Sequence, residues 1–244
     1  GREMTVPTIT MYSTAACRGL ARILLMFGSA MQQRDAEREN RRRARNDRKG
    51  RAEALYTADD AEATLGLIRS VDYGRAFEVM PGVELTFRDA GHILGSASVW
   101  LHLREGDLER RIVFSGDLGQ YDSPILRDPE PGPAADLVVM ESTYGDRLHK
   151  DRDATLVELG EILLHARSRG GNVLIPAFAV GRSQDLLYEF GTHFEAWDLA
   201  AWRIFLDSPM AIEASQVYWR HPELYDEEAR ELRGRTGTLP PLPN

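Results

Sequence analysis

The chain has 244 residues, of which 43% are hydrophobic and 28% charged, and its mean hydropathy is −0.37. This composition is typical of a soluble globular protein, and the formal net charge of −8 excludes attraction to nucleic acid by the overall field of the molecule. A single cysteine excludes an internal disulfide framework, and no apolar run approaches the about 20 residues that cross a bilayer. We therefore expect a cytoplasmic protein with no membrane partner.

The first part of the chain predicts a strand and two helices. Residues 1–12 are a weak strand candidate, on the strength of residues 8–12. From Thr14 apolar residues recur at the spacing of one helix face: Leu20, Ile23, Leu24, Phe27 and Met31. A second helix is predicted over residues 57–69, because Thr57 is a good N-cap and acidic residues follow it in the first turn.

A basic block separates these two helices. Residues 34–51 contain nine arginines and lysines against four carboxylates, a local excess of five positive charges. The simpler interpretation is a solvated helix extension or a mobile loop. The alternative is a contact with a phosphate backbone, which would weaken with added salt. No aromatic residue lies among the arginines, so the block does not predict base stacking.

Residues 83–140 predict a sheet. Apolar and polar residues alternate over 83–88 and again over 97–103, and residues 105–107 are typical of a hairpin that returns along 112–114. The continuous apolar run Leu137–Met140 predicts a central strand covered on both faces.

After Gly145 the pattern predicts alternating helices and strands. Helices are predicted over 156–166, 183–190 and 211–219, and buried strands over 173–175 and 204–206. This alternation indicates an α/β unit with a parallel sheet. We therefore predict an α/β fold class with two domains, 1–150 and 151–244, and a Pro-rich, disordered tail from about residue 234.

Three polar side chains each follow an apolar run and lie in a turn of small residues. These are His92, Asp117 and Glu141. Strand ends that meet at one edge of a sheet often form active sites, and imidazole and carboxylate groups are zinc ligands. Each residue alone has a structural alternative, such as a surface histidine, an Asx-turn or a hydrogen bond to a neighbouring loop. Together they predict part of a metal site.

Five motifs in this chain resemble a known family. They are residues 89–97 (DAGHILGSA), 115–117 (SGD), 141–146 (ESTYGD), 171–184 (GNVLIPAFAVGRSQ) and 206–211 (LDSPMA). The resemblance spans roughly residues 12–230 and is to the β-CASP group of metallo-β-lactamase-fold RNA hydrolases, which includes ribonuclease J and the endonuclease subunit of the cleavage and polyadenylation complex. It implies part of a metallo-β-lactamase domain over 1–150 and part of a β-CASP domain over 151–244.

The resemblance also implies roles for the three polar residues. His92 matches a histidine that binds one of two zinc ions, and Asp117 matches the aspartate that bridges both. Glu141 matches a carboxylate that orients a zinc-ligating histidine, which fixes the tautomer of that histidine. The implied reaction is zinc-dependent RNA hydrolysis, in which a hydroxide held between the two metal ions attacks phosphorus.

Three further residues are predicted to bind the substrate. Arg182 lies where a predicted strand opens into a helix and suits a phosphate contact, although a structural salt bridge is an equal alternative. Ser142 and Tyr144 suit the lining of a cleft, with capping of the next element as their alternative role.

The chain departs from the family in its histidines. The main zinc signature of the family is His-x-His-x-Asp-His, and none of the six histidines here lies in such a motif. Because a catalytic zinc normally takes three protein ligands, we expect this chain to be inactive alone. RNA is the expected partner, and homo-oligomer formation is left open. The alternatives are a non-catalytic RNA-binding or scaffold protein and a hydrolase of small esters or thioesters.

Overall fold

The computed structural model describes residues 9–46 and 48–237. The chain divides into two compact units between Arg75 and Ala76. Among the described residues, no helix combines the length and the apolar character that crossing a membrane requires. Helices and a mixed sheet together confirm the predicted α/β class.

The first unit contains two strands and two helices: β1 (Met11–Ser13), α1 (Ala15–Arg45), α2 (Ala58–Gly66) and β2 (Ile68–Ser70). The two strands pair in parallel, with Met11 opposite Ile68. Helix α1 begins where the sequence predicts, because the Thr14 side chain accepts the Cys17 N–H. The second helix ends at Gly66, earlier than predicted, because residues 68–70 pair with β1 instead of continuing it.

The second unit begins with a five-stranded sheet: β3 (Phe77–Met80), β4 (Val83–Asp89), β5 (Ala97–Glu105), β6 (Leu108–Phe114) and β7 (Leu137–Val139). The strands lie in this order, antiparallel except for the parallel pair β6 and β7. The predicted hairpin is confirmed, since β5 pairs with β6 from Val99–Phe114 to Glu105–Leu108.

Four helices complete the second unit: α3 (Arg152–Ser168), α4 (Arg182–Thr192), α5 (Pro209–Arg220) and α6 (Glu227–Thr236). The first three confirm predictions, and α6 was not predicted. Leu163 of α3 and Phe190 of α4 form a buried cluster with Trp197 and Leu199. Tyr218 and Tyr225 are fully buried, and the Tyr225 hydroxyl donates to the Tyr218 carbonyl at 2.8 Å.

Two strand predictions were wrong, and a third was wrong in its placement. The run Leu137–Met140 does contain a strand, β7, but this strand lies at the edge of the sheet, because only β6 pairs with it, and its side chains are exposed instead of covered. Residues 173–175 and 204–206 form no strand, and Leu174 and Phe205 are 91% and 80% exposed. Within the part of the chain that the structure describes, neither segment has a neighbouring strand to supply ladder hydrogen bonds, so the predicted parallel sheet after Gly145 is absent.

Two predictions about chain organisation stay predictions. The domain boundary near residue 150 is a family-based division that the compact units do not test. Helix α6 ends at Thr236, and residues 238–244 of the predicted Pro-rich tail lie outside the described residues.

Candidate functional site

His92, Asp117 and Glu141 lie at one edge of the sheet. Strands β4, β6 and β7 all end at this edge, because β5 runs antiparallel between β4 and β6 while β7 is parallel to β6. The Nε2 atom of His92 lies 4.0 Å from the Oδ2 atom of Asp117, and both side chains are exposed. The structure therefore brings together the three residues that the sequence singled out.

Hydrogen bonds to the backbone shape the turn that carries His92. The Asp89 carboxylate accepts the Gly91 N–H at 3.0 Å, and the Ser96 hydroxyl accepts the His92 N–H at 3.0 Å. From helix α5, the buried Tyr218 hydroxyl accepts the Leu94 N–H at 3.1 Å. The position of His92 thus depends on a residue more than 120 positions later in the chain.

The turn that carries Asp117 lies directly against the His92 turn. The Gly119 N–H donates to the Ala90 carbonyl at 2.8 Å. A Cβ atom at position 119 would lie only 1.7 Å from the carbonyl oxygen of Gly91, so no other residue fits without moving backbone. This close approach places Asp117 beside His92.

Glu141 is held at the site by hydrogen bonds from both its backbone and its side chain. Its N–H donates to the Ser115 hydroxyl at 3.1 Å, and its carboxylate accepts the Leu118 N–H. The Leu118 N–H, together with the Thr143 hydroxyl and the nearby His92, holds the pKa of Glu141 below its usual value. Glu141 is therefore an ionised hydrogen-bond acceptor at neutral pH.

Asp89 is a second carboxylate of this region, and it is buried. Burial raises the pKa of Asp89 to about 6, against the opposing effects of the Gly91 N–H and Arg127. The turn that carries His92 therefore rests on a carboxylate whose charged form is poorly solvated.

The three predicted substrate-binding residues lie near this sheet edge: Ser142 and Tyr144 are near it in sequence, and Arg182 is near it in space. Arg182 begins α4 and pairs with Asp185 at 3.8 Å, and most of its side chain is exposed, so the ion pair leaves a phosphate contact open. The residue before it, Gly181, approaches the His92 turn, since a Cβ there would lie 3.2 Å from Cγ2 of Ile93. Ser142 and Tyr144 are exposed directly after Glu141, and the Tyr144 ring lies 4.7 Å from the Arg147 guanidinium.

Comparison with known proteins supports the sequence resemblance. A family model described as the Beta-Casp domain matches residues 183–243. Ribonuclease TTHA0252 of Thermus thermophilus is 40% identical over 190 residues, which cover 77% of this chain. The transcription termination factors FttA of Methanocaldococcus jannaschii and Pyrococcus abyssi are 31% and 33% identical over 192 and 189 residues, covering 77% and 76% of it.

Residues 183–243 are therefore similar to a β-CASP domain.

The chain spans only part of these relatives: 42% of the length of the Thermus ribonuclease and 30% and 28% of the two termination factors. On the side of this chain, a contiguous match to 77% of its residues leaves out less than a quarter of them. Such a match necessarily includes residues 92–141, so the relatives are similar to this chain at the candidate site.

The residues that the structure describes do not by themselves fit the zinc site of the family. His92 and Asp117 are two suitable donors, whereas the Glu141 carboxylate already accepts hydrogen bonds from Leu118 and Thr143. Over residues 9–46 and 48–237, no group of three histidine, cysteine or carboxylate side chains is arranged to hold a metal ion. A catalytic zinc normally takes three protein ligands, so the residues that the structure describes supply an incomplete set for one.

Sequence reasoning missed the residues that hold the site together. Ser96 and Ser115 accept backbone N–H groups of His92 and Glu141, and both lie within motifs that were recognised only for their neighbours. A serine near the end of a strand is the signal that was available for them. Tyr218 had no local signal, because its partner Leu94 is distant in sequence.

Proposed function

We propose that this chain is the metal-site and substrate-binding part of a zinc-dependent RNA phosphodiester hydrolase, and that the chain is inactive alone. The observation that supports this proposal is the placement of His92, Asp117 and Glu141 at one sheet edge, in a chain similar to a ribonuclease and to termination factors. RNA is then the substrate, and the cytoplasm is the proposed location.

Each residue of this edge has a proposed part that its contacts support. His92 and Asp117 are exposed, lie 4.0 Å apart and are the proposed zinc ligands. Glu141 is the proposed positioning residue, because a carboxylate kept ionised by backbone N–H groups accepts a hydrogen bond from an imidazole and orients it. Arg182 is the proposed phosphate contact, since only part of its charge is offset by Asp185. Ser142 and Tyr144 are proposed to lie along the bound RNA.

The first prediction concerns cleavage of labelled RNA by the full-length protein and by the 244-residue chain. We expect the full-length protein to cleave this RNA and to lose that activity when a chelator removes zinc. The 244-residue chain should not cleave the RNA even when zinc is added. His92→Ala and Asp117→Ala should abolish cleavage, while Glu141→Gln should reduce it about 10–100-fold. Glu161→Gln, an exposed carboxylate on α3, is the matched control and should leave the rate unchanged.

Three outcomes would contradict parts of this proposal. Cleavage by the isolated chain at the rate of the full-length protein would disprove its inactivity. Unchanged cleavage by both alanine variants would disprove the site. Turnover of a thioester, with no cleavage of RNA by the full-length protein, would favour a hydrolase of small esters instead.

A further inference from the structure

The basic block of residues 34–51 is formed by the second half of helix α1 and the segment that follows it. The buried residues of α1 end at Ser29, and every arginine from Arg34 to Arg45 except the half-buried Arg43 is exposed. Packing in the first unit therefore uses the first half of the helix. The second half is exposed to solvent and carries the charge.

The segment after the helix folds back along it. The Arg48 N–H donates to the Arg43 carbonyl at 3.0 Å, and a Cβ on Gly50 would lie 3.6 Å from the Arg43 guanidinium. The Asn40 side chain then holds the backbone of Ala52 with two hydrogen bonds, at 2.8 and 2.7 Å. These contacts bring Arg48, Lys49 and Arg51 beside the last turns of α1, so that the cations of helix and segment share one surface, which we call the basic surface.

Two of the three carboxylates in this half of the helix have arginine partners, and the third, Asp35, forms no ion pair among the described residues. Glu37 pairs with Arg41 at 3.7 Å, and Glu39 pairs with Arg43 at 2.9 Å and Arg42 at 3.8 Å. Among the residues that the structure describes, no ion pair involves Arg38, Arg45 or Lys49. The positive charge of the basic surface is therefore not neutralised within the described part of the chain.

A structural explanation accounts for only some of these cations. The helix dipole favours positive charge in the last turn, which contains Arg42, Arg43 and Arg45. It does not explain Arg34 and Arg38, which lie one to two turns earlier. Arg34, Arg38, Arg41 and Arg45 follow the spacing of one helix face and extend over about 16 Å.

We propose that the basic surface, formed by α1 from Arg34 and residues 48–51, binds the phosphate backbone of single-stranded RNA. This inference rests on the proposed function for its choice of RNA. Arginine and lysine side chains are phosphate ligands, and no aromatic side chain lies among them to stack on bases. Binding is therefore independent of base sequence and is weakened by salt.

The second prediction is tested by fluorescence anisotropy with a labelled, unstructured oligouridine and the 244-residue chain between 50 and 200 mM salt. The triple variant Arg38→Gln, Arg45→Gln and Lys49→Gln removes three cations. We expect its affinity at 50 mM salt to fall at least about tenfold and its slope of log affinity against log salt to flatten by about 2, since each single-strand phosphate contact contributes about 0.7. Arg38→Lys with Arg45→Lys should retain the wild-type slope.

A matched control changes the net charge equally at another place. Arg104, Arg110 and Arg169 are exposed and lie outside the basic surface. Their triple substitution to glutamine should leave affinity and slope near wild type. Equal loss of affinity in both triple variants would overturn the proposal in favour of a net-charge effect, and so would wild-type binding by the Arg38, Arg45 and Lys49 variant. Circular dichroism confirms that each variant is folded.

The outcome is separable from that of the proposed function. The double variant His92→Ala and Asp117→Ala should bind RNA with the wild-type slope, because neither residue belongs to the basic surface. The same double substitution in the full-length protein should abolish RNA cleavage without changing RNA binding, so it tests the hydrolysis proposal separately. Intact hydrolysis with an unaltered salt slope in the triple variant would therefore disprove the basic surface while leaving the proposed function standing.

Discussion

At the scale of single residues, Asp89 shows a conflict between charge and burial beside the candidate site. Its carboxylate accepts the Gly91 N–H and so shapes the turn of His92, yet burial raises its pKa to about 6. In the unfolded chain the pKa is near 3.8. Between these values the folded state binds more protons than the unfolded state, so the free energy of unfolding decreases as pH rises from about 4 to 6.

The third prediction follows from this conflict. Asp89→Asn keeps an oxygen that accepts the Gly91 N–H and removes the buried charge. We expect the variant to be more stable than wild type at pH 7, by up to roughly 2–3 kcal/mol, and equally stable near pH 4. Urea unfolding at a series of pH values measures this difference.

The control for Asp89 is Asp107→Asn, in the exposed turn between β5 and β6, where asparagine suits the turn as well as aspartate. Its stability should differ little from wild type at any pH. If Asp89→Asn were less stable than wild type at pH 7, the surroundings would stabilise the charged carboxylate. The pKa of Asp89 would then be lowered on folding and not raised.

At the scale of elements, helix α2 is defined by its first turn. The Thr57 hydroxyl and backbone N–H both bond to the Asp60 carboxylate, at 2.7 and 2.8 Å, and the Asp60 N–H donates back to the Thr57 hydroxyl at 3.3 Å. These bonds satisfy N–H groups that have no partner within the helix. The two hydrogen bonds that Thr57 donates to the Asp60 carboxylate also lower the pKa of Asp60.

The fourth prediction is that Thr57→Ala destabilises the first unit by about 1 kcal/mol at pH 7. Because the pKa of Asp60 is lowered in the folded state, the stabilising bond is present above about pH 4 and is lost as pH falls further. The difference between variant and wild type should therefore shrink below pH 4 in urea unfolding. Thr64→Ala, the same change within the helix, should alter stability by less than about 0.5 kcal/mol; an equal cost at both positions would argue against the capping role.

At the scale of the whole molecule, apolar side chains that the sequence predicts as core are exposed. They lie on β7 or directly after it, and in the two segments that form no strand: Leu137, Val138, Val139, Met140, Leu174 and Phe205. On β7 the exposed side chains accompany a strand with one unpaired edge. An exposed apolar edge strand promotes pairing between chains. This gives a physical basis for the homo-oligomer that the sequence left open.

The fifth prediction is that the 244-residue chain self-associates with increasing concentration. Val138→Lys should reduce this association, because Val138 is 56% exposed on β7 and a lysine opposes edge pairing. Sedimentation velocity at increasing concentrations measures the change. Leu108→Lys is the control, since Leu108 is similarly exposed but lies at the hairpin end of β6, away from the residues that pair with β7. Equal effects of both substitutions would show that added charge, and not the edge, controls association.

The sequence by itself determined the elements whose signals are local. The start of α1, the N-cap of α2, the alternation of β4 and β5 and the hairpin before β6 were all predicted correctly, because these signals depend on residues within a few positions of each other. The positions of His92, Asp117 and Glu141 at strand ends were predicted for the same reason. The β-CASP resemblance rested on contiguous motifs, and the comparisons confirmed it.

The tertiary structure decided everything that depends on a distant partner. Residues 137–140, 173–175 and 204–206 all have apolar strand-like sequences, but only the first pairs, and only on one side, since a strand forms when another segment supplies its ladder hydrogen bonds. The support of the His92 turn by Tyr218 and the contact of Gly119 with Gly91 were equally hidden. Periodicity shows which face of a segment is apolar, whereas the neighbour that covers this face is set by packing across the whole chain.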